Sequence, residues 1–212
     1  MNRSRTRKAS TPDQPTDGKR PYRMQRRAET QEETRQRILE ATIALHEELG
    51  PRATSISAIA ERAGVQRLTV YRHFPDDEAV FQACTSEWGR RNPPPDPSAW
   101  QGFEQPAERI RAALQAFHRY YAGTRRMWSV GYREAPDVPA IQPAINEFDQ
   151  LLDGIAASLA PGRRGSKAHA RALATIRHAL AFQTWESLRG QGLGEGEVLD
   201  LVMSWMNLGV RG

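Results

Sequence analysis

Only one cysteine, Cys84, occurs in the whole chain, which excludes an internal disulfide and fits a reducing compartment. A lone thiol can sense oxidants, but free cysteine more often serves as a small buried core residue. Long apolar runs are missing too, and none approaches the ~20 residues that span a bilayer. The basic N-terminus carries no apolar stretch of the secretory kind. A cytoplasmic location without a membrane partner is therefore expected. No alternation of apolar and polar residues persists long enough to mark a strand. The signatures of catalysis are equally lacking: there is no G-x-S-x-G, no phosphate-binding loop and no H-E-x-x-H. His118, His169 and His178 lack ligand-like spacing and have no cysteine partner. Glycines 190, 192, 194 and 196 follow no strand, so a phosphate cradle is not expected there. Neither an enzyme nor a bound metal or cofactor is anticipated.

Acidic residues are scarce at one end of the chain. Residues 1–28 hold Arg3, Arg5, Arg7, Lys8, Lys19, Arg20, Arg23, Arg26 and Arg27 against only Asp13 and Asp17. That segment carries about +7 within a net charge of +5, leaving the remainder slightly negative. Pro12, Pro15, Gly18 and Pro21 among Ser, Thr and Gln make it a poor candidate for a packed element, and residues 1–29 are expected to form a disordered basic arm. A mobile cationic arm finds phosphates or the minor groove; its plainer role is that of a solvated tail.

The most informative stretch is 54–81, TSISAIAERAGVQRLTVYRHFPDDEAVF. Ile56, Ile59, Ala60 and Ala63 repeat at helical spacing and give one apolar stripe. Gly64 follows where the chain must turn, since glycine accepts positive φ. Gln66 to Phe74 then form a second short helix with Val70 and Phe74 inward. Gln66, Arg67, Leu68 and Thr69 are left at its exposed N-terminal end, the end a helix-turn-helix offers to base edges. Arg67 can donate two hydrogen bonds to guanine. Leu68 and Thr69 offer apolar surface to a thymine methyl, with packing an equal alternative for Leu68. Thr54 and Ser55 can cap the preceding helix or meet a phosphate. The pattern points to duplex DNA as a partner.

These residues also carry a family resemblance. Ser55-Ile56, Ile59-Ala60, Ala63-Gly64-Val65, Thr69-Val70-Tyr71 and His73-Phe74, with Ile38-Leu39-Glu40-Ala41 through Leu45 to Gly50 ahead of them, resemble the DNA-binding unit of TetR-type regulators across about residues 30–85. The resemblance implies an all-α homodimer, with a helix-turn-helix domain at 30–91 and a helical regulatory and dimerisation domain at 92–212. It implies a repressor released from a near-palindromic operator by a small-molecule effector. Tyr71 and His73 become phosphate contacts, and Arg72 can join them. Two positions depart from the pattern. Asp77 stands where relatives usually carry a phosphate-binding lysine, and His46 occupies a position often aromatic, where a partly buried structural histidine is expected.

Outside the motif, a first helix is expected over about 31–49, capped by Thr30, ended by Gly50 and burying Ile38, Ala41 or Thr42, Leu45 and Leu49. A fourth helix should run from about Asp76 to Arg90 with Val80, Phe81, Cys84 and Trp88 inward. Five prolines in 92–106 predict an irregular connector. Further helices are expected from Pro106 through Tyr121, briefly over 128–134, around Ile145 to Leu159, over about 166–188, and over about 195–208. An effector pocket needs apolar walls with a few polar groups; its candidates are Phe117, Tyr121, Met127, Trp128, Tyr132, Phe182 and Trp185, with His178, Arg126, Glu134 and Gln183 as polar anchors. The last two helices form the expected dimer surface through Leu199, Met203, Trp205, Met206 and the alanines from Ala172 to Ala179. An architectural, sequence-tolerant DNA binder is the rival reading, and an enzyme or ligand carrier with an incidental three-helix motif is the more distant one.

Overall fold

A computed structural model describes residues 19–208, and every regular element among them is helical. The helices are α1 (Lys19–Leu49), α2 (Ile56–Ala63), α3 (Arg67–His73), α4 (Asp77–Arg91), α5 (Ser98–Gln101), α6 (Pro106–Glu134), α7 (Gln142–Leu159), α8 (Lys167–Leu180), α9 (Phe182–Gly190) and α10 (Glu195–Leu208). Single 3-10 turns occupy Pro51–Ala53 and Pro139–Ile141.

Two apolar clusters organise this chain. The first joins Ile38, Leu39 and Leu45 of α1 to the stripe of α2, to Val70 and Phe74, and to Val80 and Cys84 of α4. The second runs from Trp100 through α6, α7, α8 and α9 to Val198 and Val202 of α10. Burying each large apolar side chain contributes about 1.5–3 kcal/mol, so the spaced apolar positions that define each helix also define its inner face. Cys84 is a buried core residue, 1% exposed, and burial pushes its thiol up to about 12. A thiol that is never ionised is a poor oxidant sensor.

Several boundaries differ from those expected. α1 starts at Lys19, so the backbone of 19–29 is helical rather than part of a disordered arm. Pro21 falls in its first turn, where a missing N–H costs nothing, and Gln25 donates to Glu29 one turn on, at 3.1 Å. Thr30 is consequently no cap; its hydroxyl donates to the Arg26 carbonyl within the helix at 2.9 Å. Arg3, Arg5, Arg7 and Lys8 of the expected arm lie outside the described residues. Leu49 is 51% exposed instead of inward. The proline-rich connector contains the one-turn α5, which plants Trp100 against Phe117 at 6.1 Å. The two helices expected on either side of residues 122–127 are one continuous α6. Conversely, the long helix expected over 166–188 breaks at Ala181, whose backbone is extended.

Candidate nucleic-acid interface

The turn between α2 and α3 is built as its residues require. Ser55 caps α2, its hydroxyl accepting from the Ala58 N–H at 3.2 Å. Gly64 ends the helix in the left-handed region at φ 66°, where a side chain would be strained. Val65 N–H then returns to the Ala60 carbonyl at 2.9 Å, closing the helix end. Gln66 takes the extended N-cap of α3 with no side-chain capping bond, so its amide is not spent on the helix.

Val70 and Phe74 anchor α3 from beneath, 0% and 3% exposed. Arg35 of α1 lies over the Phe74 ring, 5.1 Å from its centroid, and clamps the far edge. With that face held, Gln66, Arg67 and Arg72 point to solvent, and Thr69, Tyr71 and His73 are half-buried at the flanks. Leu68 is 68% exposed, the largest value among the exposed large hydrophobic residues described. Packing therefore does not account for it. It stands beside Arg67, likewise exposed, in the first turn of α3.

Not every expected contact is equally free. Thr54 donates its hydroxyl to the Gly50 carbonyl at 2.8 Å, leaving only its oxygen lone pairs as acceptors. Tyr71 donates to Asp77 Oδ1 at 3.3 Å, so this carboxylate holds the tyrosine tip. Asp76 caps α4 by accepting from the Ala79 N–H at 2.7 Å, and the acids of this first turn complement the helix dipole.

Behind the reading face sits a joint that sequence reasoning missed. Glu134, the last residue of α6, is 9% exposed and accepts from the Arg52 N–H at 2.9 Å. Arg52 in turn meets Asp137 at 2.8 Å. Gly50 has φ 90°, and a Cβ placed there would lie 2.0 Å from Glu134 Oε1. The carboxylate is thus pressed on the bend between α1 and α2. Glu134 is expected from the sequence to anchor an effector; it anchors the helix-turn-helix head instead. A separation of 82 residues leaves no local signal for that contact.

A cavity of about 90 Å³ lies beside this joint, between α4 and α6. Met127 and Trp128 line it, together with His46, Trp88 and Ile145. The other expected pocket residues lie elsewhere. Phe117, Tyr121, Phe182 and Trp185 are at most 2% exposed and pack ring on ring, Tyr121 donating to the Leu180 carbonyl at 2.7 Å. Tyr132 stacks on Phe182 with planes 7° apart. Arg126 and Gln183 are exposed. His178 is on the outer face, 6.0 Å from Trp205. Burial brings His46 down to about 4, the nearby Glu134 carboxylate pulling the other way, so its imidazole is neutral as a structural histidine should be.

On the expected dimer surface, Met203, Trp205 and Met206 are half-buried, and Leu201 is 37% exposed. Trp205 and Met206 border a groove of about 300 Å³ with Ala172 and Thr175 of α8. Leu199 differs: at 8% exposed it belongs to the core of its own chain, because α10 turns Val198, Leu199 and Val202 inward together.

Residues 38–84 match the family described as bacterial regulatory proteins, tetR family. The HTH-type transcriptional repressor KstR of Rhodococcus jostii is 36% identical over 95 residues, covering 42% of this chain and 41% of the relative. KstR of Mycobacterium tuberculosis is 34% identical over 93 residues, covering 43% and 42%. The chain thus spans about two-fifths of the length of these relatives. A TetR-like transcriptional regulator from Rhodococcus sp. RHA1 shares the fold with a TM-score of 0.63 at 23% identity, over 84% of this chain and 96% of that one. The fatty acid degradation regulator FadR of Bacillus halodurans aligns with a TM-score of 0.57 at 16% identity, over 84% and 95%. Among the described residues no helix is long and apolar enough to cross a membrane.

Proposed function

The chain belongs to the TetR family of bacterial regulatory proteins, and on that premise we propose that it is a sequence-specific DNA-binding repressor acting as a homodimer and released by a small molecule. One observation carries the DNA reading: α3 is buried through Val70 and Phe74 while Gln66, Arg67 and Leu68 at its N-terminal end stand clear of the protein. That end enters the major groove, with Arg67 on a guanine and Leu68 and Thr69 against a thymine methyl. Thr54, Ser55, Tyr71, Arg72 and His73 surround it as backbone contacts. The named relatives that are repressors support the same direction.

A helix-turn-helix head of this size reads one half-site, and a two-fold pair reads an inverted repeat. The apolar groove along α8 and α10 offers the pairing surface through Met203, Trp205 and Met206. Met127 and Trp128 face the cavity at the joint between head and body, where an effector would bias the position of the head.

Nuclease footprinting on the region upstream of the gene's own start, at low salt, tests the reading. Protection of one inverted repeat, lost on adding unlabelled repeat but not random duplex, is expected. Equal protection everywhere would favour an architectural binder.

A further inference from the structure

The turn between α7 and α8 gathers positive charge with no acid to answer it. From Gly154 to Trp185 the chain holds no Asp or Glu, yet Arg163, Arg164, Lys167 and Arg171 all fall within that stretch. The four are exposed, and none makes an ion pair among the described residues. Arg177, farther along α8, differs: it meets Asp149 at 2.7 Å and Asp153 at 2.6 Å. The placement also works against the helix. Lys167 is the first residue of α8, whose first turn has no acid, and a cation there opposes the helix dipole. Lys167 and Arg171 add a like-charge pair one turn apart. By contrast α4 begins with Asp77 and Glu78, and α10 with Glu195 and Glu197. Folding therefore does not account for these cations.

The turn that carries them is held in shape. Gly162 and Gly165 bend it at φ 90° and 84°, values that other residues rarely adopt. His169 Nδ1 donates to the Pro161 carbonyl at 3.1 Å, and the Ser166 hydroxyl accepts from the His169 N–H at 3.1 Å. Its position is equally defined. Ile110 borders the same corner as Gly162 and Arg171, while Glu134, at the other end of α6, holds the head through the Arg52 N–H. Between Ile110 and Glu134 α6 rises about 36 Å. A duplex lying on α3 is thus at the opposite end of the molecule from this patch.

The chemistry of the patch selects its partner. None of the exposed large hydrophobic residues lies there. A protein partner is held chiefly by buried aromatic and apolar anchors, a membrane surface by apolar insertion as well as charge, and a single strand by aromatic stacking. Charge alone suffices for a duplex backbone. We propose that Arg163, Arg164, Lys167 and Arg171 bind the phosphates of a second DNA duplex, so that one molecule holds two DNA segments at once. The first of those segments rests on the DNA reading given above.

A bridging assay with the full chain tests this. The duplex upstream of its gene is fixed to beads and loaded with protein, and a labelled duplex of random sequence is added at about 50 mM salt. The wild type is expected to capture the labelled duplex. Arg163→Gln/Arg164→Gln/Lys167→Gln should stay on the beads as well as the wild type, with unchanged helix content, and capture about tenfold less or worse. Arg171 is left in place because it borders the groove proposed for pairing. Arg163→Lys/Arg164→Lys, which keeps the charge, should capture as the wild type does. Equal capture by the glutamine variant would assign the second duplex to a spare head and overturn the proposal. Vesicles of phosphatidylserine that hold the wild type but not the glutamine variant, with no duplex captured, would overturn it in favour of a membrane surface. Retention on the beads without any capture removes this proposal only, whereas no retention on the beads removes the DNA reading with it.

Discussion

Arg67 and Arg72 leave the same short helix with different prospects. Arg67 is its first residue and Arg72 is near its last; the function proposed above sets Arg67 in the groove and Arg72 against the phosphates. Arg67→Ala is expected to weaken operator binding by about 1–3 kcal/mol per half-site, with far less effect on random duplex. Competitive gel-shift titration on both duplexes checks this, and equal weakening on the two would place Arg67 on the backbone. His118 makes a different case. It is 3% exposed with neither ring nitrogen paired, and burial brings it down from 6.5 to about 4. Above pH 6.5 folded and unfolded states are both neutral and nothing is lost. Between 6.5 and about 4 the unfolded chain takes up a proton that the fold refuses, so stability falls with pH. His118→Leu should raise the urea midpoint at pH 7.5, since an unpaired buried polar group is removed. It should also spare about 2 kcal/mol of the wild type's loss between pH 6.5 and pH 5. An equal loss in both proteins would mean that His118 is protonated in the folded state.

Elements whose cause is local could be read from residues alone. The apolar spacing of α2, the turn at Gly64 and the inward Val70 and Phe74 all follow from neighbours a few positions apart, and they appear as expected. So does the absence of strands among the described residues. The break at Ala181 could not be read that way, because no glycine or proline marks it. At the break the Leu180 carbonyl accepts from the hydroxyl of Tyr121, 59 residues before it, a partner that no local pattern announces. The same holds for the site: the exposed tip of α3 was legible, while the Glu134 joint and the α4 wall of the cavity depend on long-range packing. That joint yields a measurable coupling. Gly50→Ala forces a side chain into positive φ and against the Glu134 carboxylate, with an expected loss of more than about 1 kcal/mol. In Gly50→Ala/Glu134→Ala the clash is gone and only the strain remains. A double-mutant cycle by chemical denaturation should give a coupling of about 0.5–3 kcal/mol. Additive losses would show that the two residues do not press on each other.

Taken whole, the chain presents its apolar excess and its cationic surface at different places, and each suits a different partner. Arg67 and Arg72 crown the helix-turn-helix, whereas the groove of α8 and α10 is bordered by Trp205, Met206, Ala172 and Thr175, with Arg171 as its one charged wall. Small residues on α8 let a neighbouring helix approach closely, and Trp205 supplies the kind of aromatic anchor that dominates interface energies. A single head binding one half-site pays the full loss of translational freedom for a modest set of contacts. Pairing makes the second head's binding intramolecular and multiplies affinity by the local concentration it creates. Trp205→Glu puts a carboxylate where a partner's apolar surface would have to bury it, which costs several kcal/mol unless the pair separates. Sedimentation velocity should therefore show a monomer for this variant and a dimer for the wild type, while circular dichroism shows the same helix content for both. The monomer should bind a full inverted repeat no better than a single half-site. A variant that still sediments as a dimer would move the pairing surface away from α8 and α10. A monomer that keeps wild-type operator affinity would show that one head suffices to read the site.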